Sequence, residues 1–444
     1  MEKDLEMARW MAGTAAERGG RVYFVGGFVR DGVMGRESKD VDIEIHGMTA
    51  DAVRGMLGEI GPWKEMGASF GVFSLRGYTL DIVLPRHGGG KGEDADIDPF
   101  MGRKEAERRR DFTMNAMMQD VLTGKVVDHF GGVADLHKGV LRHVNSKTFV
   151  EDPLRVLRAA QFAARFDFTL APETVNLART MDLSTLASER IFGELEKALL
   201  KAERPSVFFR EMSRMEQMTL WFPEVEQLKG IGQNPLYHPE GDVYIHSMQV
   251  LDRAALYREQ AKDPVGFMLS ALVHDFGKIT ATRMTEKGIQ AIGHETEGLP
   301  LVETFIRRLT NEAGLRKYVL NMTRLHMRPN RLAADHARLQ ATNRMFDESV
   351  DPVGLLLLAR CDRSLRQRTE EIREEEAFLE ERLVLFEEIM ARPCVMGADL
   401  VKAGLKPGPA FSDVLSFAHT LRLSGVEKEK ALPQVLSYAR EKGL

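Results

Sequence analysis

The chain has 444 residues, 43% of them hydrophobic and 29% charged, which indicates a soluble globular protein of about two to four domains. The formal net charge of −5 argues against a generally basic nucleic-acid binder, although it does not exclude local positive patches. Two cysteines, Cys361 and Cys394, exclude a disulfide framework and a zinc ribbon. No apolar tract is long enough for a membrane span, and the charged, helix-patterned N-terminus is unlike a signal peptide. We therefore expect a cytoplasmic protein with no membrane partner.

Short β-rich runs alternate with helical segments from about residue 21 to residue 144, a pattern typical of a domain that combines a sheet with helices. The runs are RVYFVGG, DVDIEI, GVFSL, LDIVLP and VVDHF. The glycine-rich segment 86–98 has no apolar periodicity and predicts a mobile loop beside the sheet. From about residue 145 helical periodicity dominates, and residues 368–392 predict one long, charged amphipathic helix.

The stretch VGGFVRDGVMGRESKDVDIEI, residues 25–45, carries the first candidate site. Asp40 and Asp42 lie two residues apart on a predicted strand, so their carboxylates point to the same side. Like charges held that close resist ionisation unless a cation lies between them, and Mg²⁺ prefers a few carboxylates together with phosphate oxygens. Gly26 and Gly27, between a strand and a helix, would let backbone N–H groups approach phosphate. The combination predicts a site for a nucleoside triphosphate and its magnesium ions.

Five motifs in order then give the chain a resemblance to the class II tRNA nucleotidyltransferases, the CCA-adding enzymes, and to the related bacterial poly(A) polymerases. The first motif is the glycine and aspartate stretch just described. The others are RRDFTMNAM (109–117), DHFGGVADLHKGVLRHV (128–144), EDPLRVLRAAQFAARF (151–166) and SERIFGELEKAL (188–199). They resemble, respectively, the ribose-selecting motif, the hinge between head and neck, the nucleotide-templating helix and the helix packed behind it.

The resemblance implies a role for each matching residue. Asp40 and Asp42 would be the catalytic pair that holds two Mg²⁺ ions. The implied nucleotide-binding residues are Gly26, Gly27, Arg30, Asp31, Arg110, Asp111, Asn115, Asp152, Arg155 and Arg158. Among them Gly27 and Arg30 would contact the triphosphate, and Asp111 would lie toward the ribose hydroxyl. Asp152 and Arg155 would read the Watson–Crick edge of the incoming base, and Arg158 would support either the triphosphate or that templating pair.

Two positions depart from this pattern or extend it. Family members commonly carry a further arginine where this chain has Gln161, which bears on how the triphosphate tail is held. Asp81, in the run LDIVLP, is either a third carboxylate of the site or an ordinary strand residue.

A second constellation of histidines and aspartates follows in the helical part. An adjacent pair, His274 and Asp275, ends an apolar helical run, and further histidines and an aspartate lie on other predicted helices. Imidazole and carboxylate ligands at open sites suit hydrolysis by a divalent transition metal such as Ni, Mn, Co, Fe or Zn. The pattern resembles an HD phosphohydrolase domain. His246, His274, Asp275 and Asp362 would complete one metal site, and His294 and His326 could bind a second ion. We interpret His238 and His336 as ordinary residues.

These patterns predict an α+β fold, in which a nucleotidyltransferase head with a small mixed β-sheet precedes an all-α neck, body, HD domain and tail. The expected divisions are 1–144 for the head, 145–230 for the neck and body, 231–370 for the HD domain and 371–444 for the tail. The expected function is addition or repair of the tRNA 3′-terminal CCA from CTP and ATP, with a second phosphodiesterase or phosphatase activity. The alternatives are a poly(A) polymerase, a partial CC- or A-adding enzyme, an RNA-end phosphohydrolase, and an HD domain kept only as a scaffold. The oligomeric state, monomer or dimer, stays open.

Overall fold

The computed structural model describes residues 1–38, 40–65, 71–87, 96–235, 238–286, 288–363 and 370–442. The chain divides into two compact units. Unit 1 comprises Met1–Ala198 and Val207–Leu220, and unit 2 comprises Leu199–Ser206 and Trp221–Leu444. The expected division into four domains stays a prediction.

The strands lie mainly in the first part of the chain. They are β1 Arg21–Val25, β2 Val41–His46, β3 Trp63–Glu65, β4 Val72–Leu75, β5 Leu80–Val83, β6 Arg86–His87, β7 Asp96–Ile97, β8 Met118–Asp120, β9 Val126–Val127, β10 Val140–Leu141, β11 Thr169–Leu170, β12 Arg283–Thr285 and β13 Gly288–Gln290.

Helices make up most of the remainder. Those of the first half are α1 Glu2–Glu17, α2 Gly27–Val33, α3 Ala50–Ile60, α4 Arg103–Arg108, α5 Thr113–Ala116, α6 Gly132–Lys138, α7 Ser146–Phe149, α8 Leu154–Phe166, α9 Pro172–Arg179, α10 Ser188–Lys201, α11 Ser206–Arg214 and α12 Pro223–Gln227. Those of the second half are α13 Val243–Ala254, a 3-10 turn at Arg258–Gln260, α14 Pro264–Val273, α15 Lys278–Ala281, α16 His294–Glu297, α17 Leu299–Leu309, α18 Ala313–Leu325, α19 Met327–Ala334, α20 Leu339–Glu348, α21 Pro352–Asp362, α22 Glu370–Ala391, α23 Gly397–Lys402, α24 Phe411–Leu423 and α25 Lys428–Glu441.

Unit 1 is built on a seven-stranded sheet in the order β3-β4-β5-β2-β1-β8-β9. The pair β2–β5 is parallel and the other neighbouring pairs are antiparallel, so the sheet is mixed, as predicted. The central strands β1 and β2 are almost wholly buried. Helix α1 covers them with Ala8, Met11, Ala12 and Ala15, whose spacing forms one apolar stripe. The sheet therefore holds the loop after β1 and the start of β2 side by side.

Unit 2 is organised around α14, whose sequence PVGFMLSALV is apolar on every side. A helix of this kind must be surrounded, and α13, α18 and α21 pack against it. Because His274 and Asp275 follow the last residue of α14 directly, the chain delivers this polar pair into the buried centre of the unit. The tail has its own small core, formed by Leu400, Val414, Val435 and neighbouring residues.

Several local predictions can be compared with the structure. The long helix expected at 368–392 is confirmed as α22. The loop expected at 86–98 is wrong at its ends, because β6 and β7 pair there as short antiparallel strands, while residues 88–95 lie outside the described residues. The part after residue 145 is mostly but not wholly helical, since β11 and the hairpin β12–β13 lie within it. Cys361 and Cys394 are both free. In the described part of the chain, no helix is long and apolar enough to cross a membrane.

Candidate active sites

The turn between β1 and α2 brings the predicted glycines next to a predicted metal ligand. Gly26 has φ 63° and ψ −130°, a backbone conformation that a residue with a side chain rarely adopts. A Cβ atom at this position would lie 3.6 Å from Asp42 Oδ2. The sharp turn thus leaves the backbone at Gly26 open beside the Asp42 carboxylate.

Asp42 lies within β2, and Asp40 lies one residue before that strand. Asp81 pairs directly with Asp42 in the parallel register of β2 and β5. Burial, the neighbouring charge of Asp81 and the charge of Asp40 together raise the pKa of Asp42, and the positive charge of Arg110 offsets only part of that rise. Three carboxylates that repel one another are the electrostatic environment expected of a cation site. The arrangement also favours Asp81 as part of this acidic group.

Arg110 is held by a buried carboxylate on the same strand as Asp42. Its Nη2 lies 2.5 Å from Oε2 of Glu44, and Nε2 of His46 lies 2.8 Å from the other oxygen of Glu44. Burial alone would raise the pKa of Glu44, but Arg110 and His46 lower it below the usual value. Glu44 is two residues beyond Asp42, on the same side of β2. Arg110 is therefore fixed where its charge acts on Asp42 as well.

A continuous polar network runs from α2 through α5. Arg30 is 4% exposed, and it donates from Nε to Asp31 at 2.8 Å and from Nη1 to Asn115 Oδ1 at 2.8 Å. Asn115 in turn donates to Asp111 Oδ1 at 3.1 Å. The Arg30 guanidinium also lies 4.7 Å from the ring centroid of Phe166. Arg30 thus connects the glycine turn to Asn115 and Asp111, and the binding of nucleotide by these residues stays a prediction.

Asp111 continues this network into α8. Arg158 donates to Asp111 Oδ2 from Nε at 2.8 Å and from Nη2 at 2.5 Å, while the backbone N–H of Phe112 donates to Oδ1 at 2.7 Å. Burial would raise the pKa of Asp111, but Arg158 and these hydrogen bonds lower it. Asp111 is therefore an ionised, buried carboxylate, and it orients Arg158.

Of the predicted templating pair, Arg155 lies in the first turn of α8 and Asp152 lies two residues before that helix. Arg155 donates to the carbonyl oxygens of Thr148 at 2.7 Å and of Arg109 at 2.9 Å. Asp152 accepts from the backbone N–H of Leu154 at 3.1 Å, and Arg190 Nη2 approaches its Oδ2 at 3.3 Å. Both side chains are half-buried and fixed in direction, while base reading stays a prediction.

Gln161 lies one turn beyond Arg158 on α8 and is 1% exposed. Its amide Nε2 has no hydrogen-bond partner among the described residues, and the same holds for Oε2 of the buried Glu194 on α10. An unpaired buried amide is destabilising by about 1–3 kcal/mol. The departure from the family pattern thus has a visible structural consequence in this chain.

The structure brings all six predicted ligands of the second constellation together in unit 2. His294 Nε2 lies 3.2 Å from His326 Nε2 and 3.2 Å from Asp275 Oδ1. His246 Nε2 and His274 Nε2 lie 2.9 Å and 3.4 Å from Asp362 Oδ1. Two close groups result, one of His246, His274 and Asp275 and the other of Asp275, His294 and His326, each with its ligand atoms within 4.8 Å of one another. Asp275 belongs to both.

The local backbone explains how His294 reaches this cluster. A Cβ atom at Gly277 would clash with the carbonyl oxygen of His294, so only glycine lets the two segments approach this closely. Gly277 follows Asp275 by two residues, and the approach therefore joins the HD pair to the first residue of α16.

Each of the four histidines of the cluster is hydrogen-bonded through Nδ1 to a group outside it, so Nε2 is the nitrogen that points to the centre of the cluster. Nδ1 of His274, His294 and His326 lies 2.9, 2.8 and 2.6 Å from the carbonyl oxygens of Ala271, Ala291 and Thr323. Nδ1 of His246 lies 2.7 Å from Glu240 Oε1. Since a carbonyl or carboxylate oxygen accepts a hydrogen bond, each Nδ1 keeps its proton, and Nε2 is the nitrogen that can release its proton and bind a metal.

The charges of the cluster also fit metal ions. His274 Nε2 is buried without a hydrogen bond to any described residue, 3.3 Å from Asp275 Oδ2 and 3.4 Å from Asp362 Oδ1, and Asp275 Oδ2 is paired with Lys278 Nζ at 2.7 Å. Burial alone would lower the pKa of His274, but Asp275 and Asp362 raise it to about 10. Burial and the neighbouring His274 lower the pKa of His326 to about 3. Imidazoles with strongly perturbed pKa values, packed this closely among buried carboxylates, are the environment expected of ligands for divalent cations.

Sequence reasoning missed the outer residues of this centre. His238 and Glu240 form a third close group with His246, so the expectation that His238 is an ordinary residue is wrong. Lys278 Nζ lies 2.7 Å from both Asp275 Oδ2 and Gln233 Oε1. The clustering of His238, Glu240 and His246 within HPEGDVYIH was the available signal.

Comparison with known proteins gives matches to both parts of the chain. Residues 22–142 match the model of the poly A polymerase head domain, and residues 243–367 match that of the HD domain. The multifunctional CCA protein of Stenotrophomonas maltophilia (strain R551-3) is 37% identical over 354 residues, which cover 77% of this chain and 81% of that protein.

Two solved structures share the fold. A CCA-adding enzyme in complex with ATP has a TM-score of 0.68 at 21% identity and covers 99% of this chain and 96% of its own. The Thermotoga maritima CCA-adding enzyme complexed with tRNA has a TM-score of 0.67 at 22% identity and covers 98% of this chain and 96% of its own. By its identity to a relative that spans most of its length, the chain belongs to the family of multifunctional CCA proteins, with a poly A polymerase-type head and an HD domain.

Proposed function

We propose that this chain adds or repairs the 3′-terminal CCA of tRNA, using CTP and ATP, at the site between β1, β2 and α8. The observation that carries the proposal is the group of carboxylates at the start of β2, centred on Asp42, beside the open backbone of Gly26. A multifunctional CCA protein at 37% identity supports the same reaction.

The carboxylates fit a role in holding Mg²⁺. The pKa of Asp42 is raised by burial and by its acidic neighbours, and a divalent cation would relieve that repulsion. Asp40 and Asp42 would hold two ions, which when bound would activate the RNA 3′-hydroxyl and stabilise the triphosphate. Arg110, fixed by Glu44, would place a positive charge at the nucleotide.

The polar network would connect this chemistry to base choice. Asp111, buried and ionised, fixes Arg158. Arg155 uses two of its five donors on backbone carbonyls, so its remaining donors can meet a base. With Asp152 beside it, protein groups would take the place of a nucleic-acid template. An unpaired buried polar group opposite the wrong base costs about 1–3 kcal/mol, which is enough to discriminate.

The test is incubation of the protein with tRNA transcripts that end before, within and after the CCA sequence. CTP and ATP are supplied singly and together with Mg²⁺, and the new 3′ ends are sequenced. We expect two C residues from CTP alone and completion to CCA when ATP is added, with no extension of the finished end. Continued addition of A would identify a poly(A) polymerase, and arrest after C or restriction to the last A would identify a partial enzyme.

We also propose that the HD centre is a metal-dependent phosphodiesterase or phosphatase. The four Nε2 atoms and two carboxylates would hold divalent transition metals, and the membership of Asp275 in both close groups supports two ions. Bound ions would supply Lewis-acid activation of water and of the scissile phosphate. Lys278, close to Asp275, would attract the phosphate. The expected substrates are 2′,3′-cyclic phosphates and phosphate monoesters at RNA ends.

This second activity is tested by treating the full-length protein with a chelator and then adding Ni²⁺, Mn²⁺, Co²⁺, Fe²⁺ or Zn²⁺ separately. We expect hydrolysis of a cyclic-phosphate RNA end to be lost with the chelator and restored by at least one of these ions. If the wild-type protein binds no transition metal and none elicits hydrolysis, the domain serves only as a scaffold.

A further inference from the structure

Glu240 lies outside the six predicted ligands, yet it contacts one of them directly. Its Oε1 lies 2.7 Å from Nδ1 of His246 and 3.0 Å from Nδ1 of His238. The Glu240 side chain is 6% exposed, and that of His246 is fully buried. The rings of His238 and His246 lie edge to face, with centroids 4.8 Å apart. One carboxylate oxygen therefore fixes two imidazoles at the border of the metal centre.

This contact distinguishes His246 from the other three histidines of the cluster. Each of those uses Nδ1 to donate to the backbone carbonyl three residues before it, a neutral acceptor that no side-chain substitution removes. His246 alone depends on a charged side chain. Its Nε2 lies closer to Asp362 than that of His274 does, at 2.9 Å against 3.4 Å.

Backbone contacts of the two residues that follow Glu240 hold it in place. The backbone N–H of Gln233 donates to the carbonyl of Gly241 at 2.9 Å, and Gly232 and Asp242 form a bridge, so this segment folds back on itself. Asp242 then caps α13 by accepting from the N–H of Ile245. Glu240 lies just before this cap and His246 lies in the first turn after it, so the cap fixes the distance between them.

From these contacts we infer that Glu240 is the positioning carboxylate of the HD centre: it keeps the Nδ1 proton on His246, so that Nε2 is presented to the metal, and His238 helps to hold Glu240 by contacting the same oxygen. The inference rests on the proposed metal centre but concerns metal affinity, not the hydrolysed substrate. A carboxylate on the far nitrogen orients the ring and makes it a stronger ligand, and loss of such a partner typically weakens metal binding about 10–100-fold.

The test is a titration of chelator-treated, full-length protein with Zn²⁺ against a competing chelator, with the metal content counted independently. For Glu240→Ala we expect a Kd for Zn²⁺ that is about 10–100-fold weaker, with the number of ions per chain unchanged at saturation. Glu240→Gln keeps an oxygen that can accept hydrogen bonds from both Nδ1–H groups, so its Kd for Zn²⁺ should stay within about threefold of the wild type.

The matched control is Glu295→Ala. Glu295 also lies beside a candidate ligand, but its carboxylate is 3.7 Å from His294 Nδ1, beyond hydrogen-bond distance, and that nitrogen is already bound to Ala291. The control should bind Zn²⁺ like the wild type. Histidine ¹⁵N spectra of the Zn²⁺-loaded protein add a readout besides affinity: the His246 Nδ1 proton should be seen in the wild type and Glu240→Gln, and should be lost or fast-exchanging in Glu240→Ala.

Two results would overturn the inference while leaving the metal centre intact. One is unchanged Zn²⁺ affinity in Glu240→Ala. The other is loss of one ion per chain in both Glu240 variants, which would make Glu240 a ligand in its own right. A wild-type protein that binds no Zn²⁺ would overturn the inference together with the centre. If the Zn²⁺ affinities of the variants differ as expected but the protein hydrolyses no phosphate ester, the inference holds and only the proposed hydrolase activity is wrong.

Discussion

The buried ion pair between Asp111 and Arg158 allows a quantitative prediction about the head. Replacing Arg158 by methionine keeps most of the side-chain volume but removes both charged donors to Asp111 Oδ2. Asp111 would remain buried, with hydrogen bonds from Phe112 and Asn115 to its other oxygen. The substitution thus leaves a negative charge inside the protein without its counterion.

The magnitude follows from the exposure of the two partners. Breaking a fully buried pair costs about 3–5 kcal/mol. The Asp111 side chain is 9% exposed, but that of Arg158 is 32% exposed, so water can enter part of the vacated site and the lower end applies. We expect Arg158→Met to lower the free energy of unfolding of unit 1 by about 3 kcal/mol, or its Tm by about 6–12 °C.

The assay must report on unit 1 alone, because a chain with two units need not unfold in one step. Of the three tryptophans, Trp10 and Trp63 lie in unit 1 and Trp221 lies in unit 2. In a Trp221→Phe background, fluorescence during denaturation therefore follows unit 1. The matched control is Arg190→Met. Arg190 lies 3.3 Å from Asp152, and this pair is more exposed than the Arg158–Asp111 pair, so the control should lower the free energy of unfolding by less than about 1 kcal/mol.

The pH dependence has a definite sign. Arg158 keeps the folded pKa of Asp111 below its ordinary value, so in the wild type the pair stabilises the fold at neutral pH and this stability is lost as the pH falls through that low pKa. In Arg158→Met burial dominates and the pKa rises, so the deficit should shrink as the pH drops from about 7 to about 4. The double substitution Asp111→Asn with Arg158→Met should recover much of the loss. A loss below about 1 kcal/mol in the single variant, or a double variant that is no better, would refute the reasoning.

Two further predictions concern α8 and the residue Asp152 just before it. Asp152→Ala or Arg155→Ala should relax the preference for CTP and ATP over UTP and GTP more than it slows addition, and unchanged relative incorporation from the four nucleotides would contradict the templating role. Gln161→Met should hold or raise the Tm of unit 1, because it removes a buried amide whose Nε2 has no described partner; a clear fall in Tm would mean that the amide is paired.

The sequence alone is enough to predict the main strands of the sheet and the six candidate ligands of the HD centre. The runs that became β1, β2, β4 and β5 are long enough to show strand composition, and α22 shows helical periodicity over its whole length. The HD pair is predictable because it follows the all-apolar helix α14, which must be buried.

The short strands and the long-range contacts of buried charges could not be predicted from local sequence patterns. Strands β3 and β8 have three residues each, too few to establish an alternation. The partners of buried charges are set by long-range packing. Neither the Arg110–Glu44 contact nor the Asp111–Arg158 contact can therefore be predicted from a short segment of the sequence. They are 66 and 47 residues apart.

Glu240 illustrates the same limit at short range. It lies six residues before His246, and a helix continuing through both would not place them together. They meet because the chain folds back before Asp242 and α13 begins only after it. A loop conformation of this kind is fixed by tertiary contacts, which composition does not reveal.

The central claim is that one chain holds two independent centres, a nucleotidyltransferase site at Asp42 and a metal-dependent hydrolase site at His274. The most direct measurement assays both reactions, CCA addition to a shortened tRNA and hydrolysis of a 2′,3′-cyclic-phosphate RNA end, in the wild type, Asp42→Asn and His274→Ala. We predict that Asp42→Asn loses addition and keeps hydrolysis, whereas His274→Ala loses hydrolysis and keeps addition with Mg²⁺. A folded variant in which one substitution abolishes both reactions would contradict the claim.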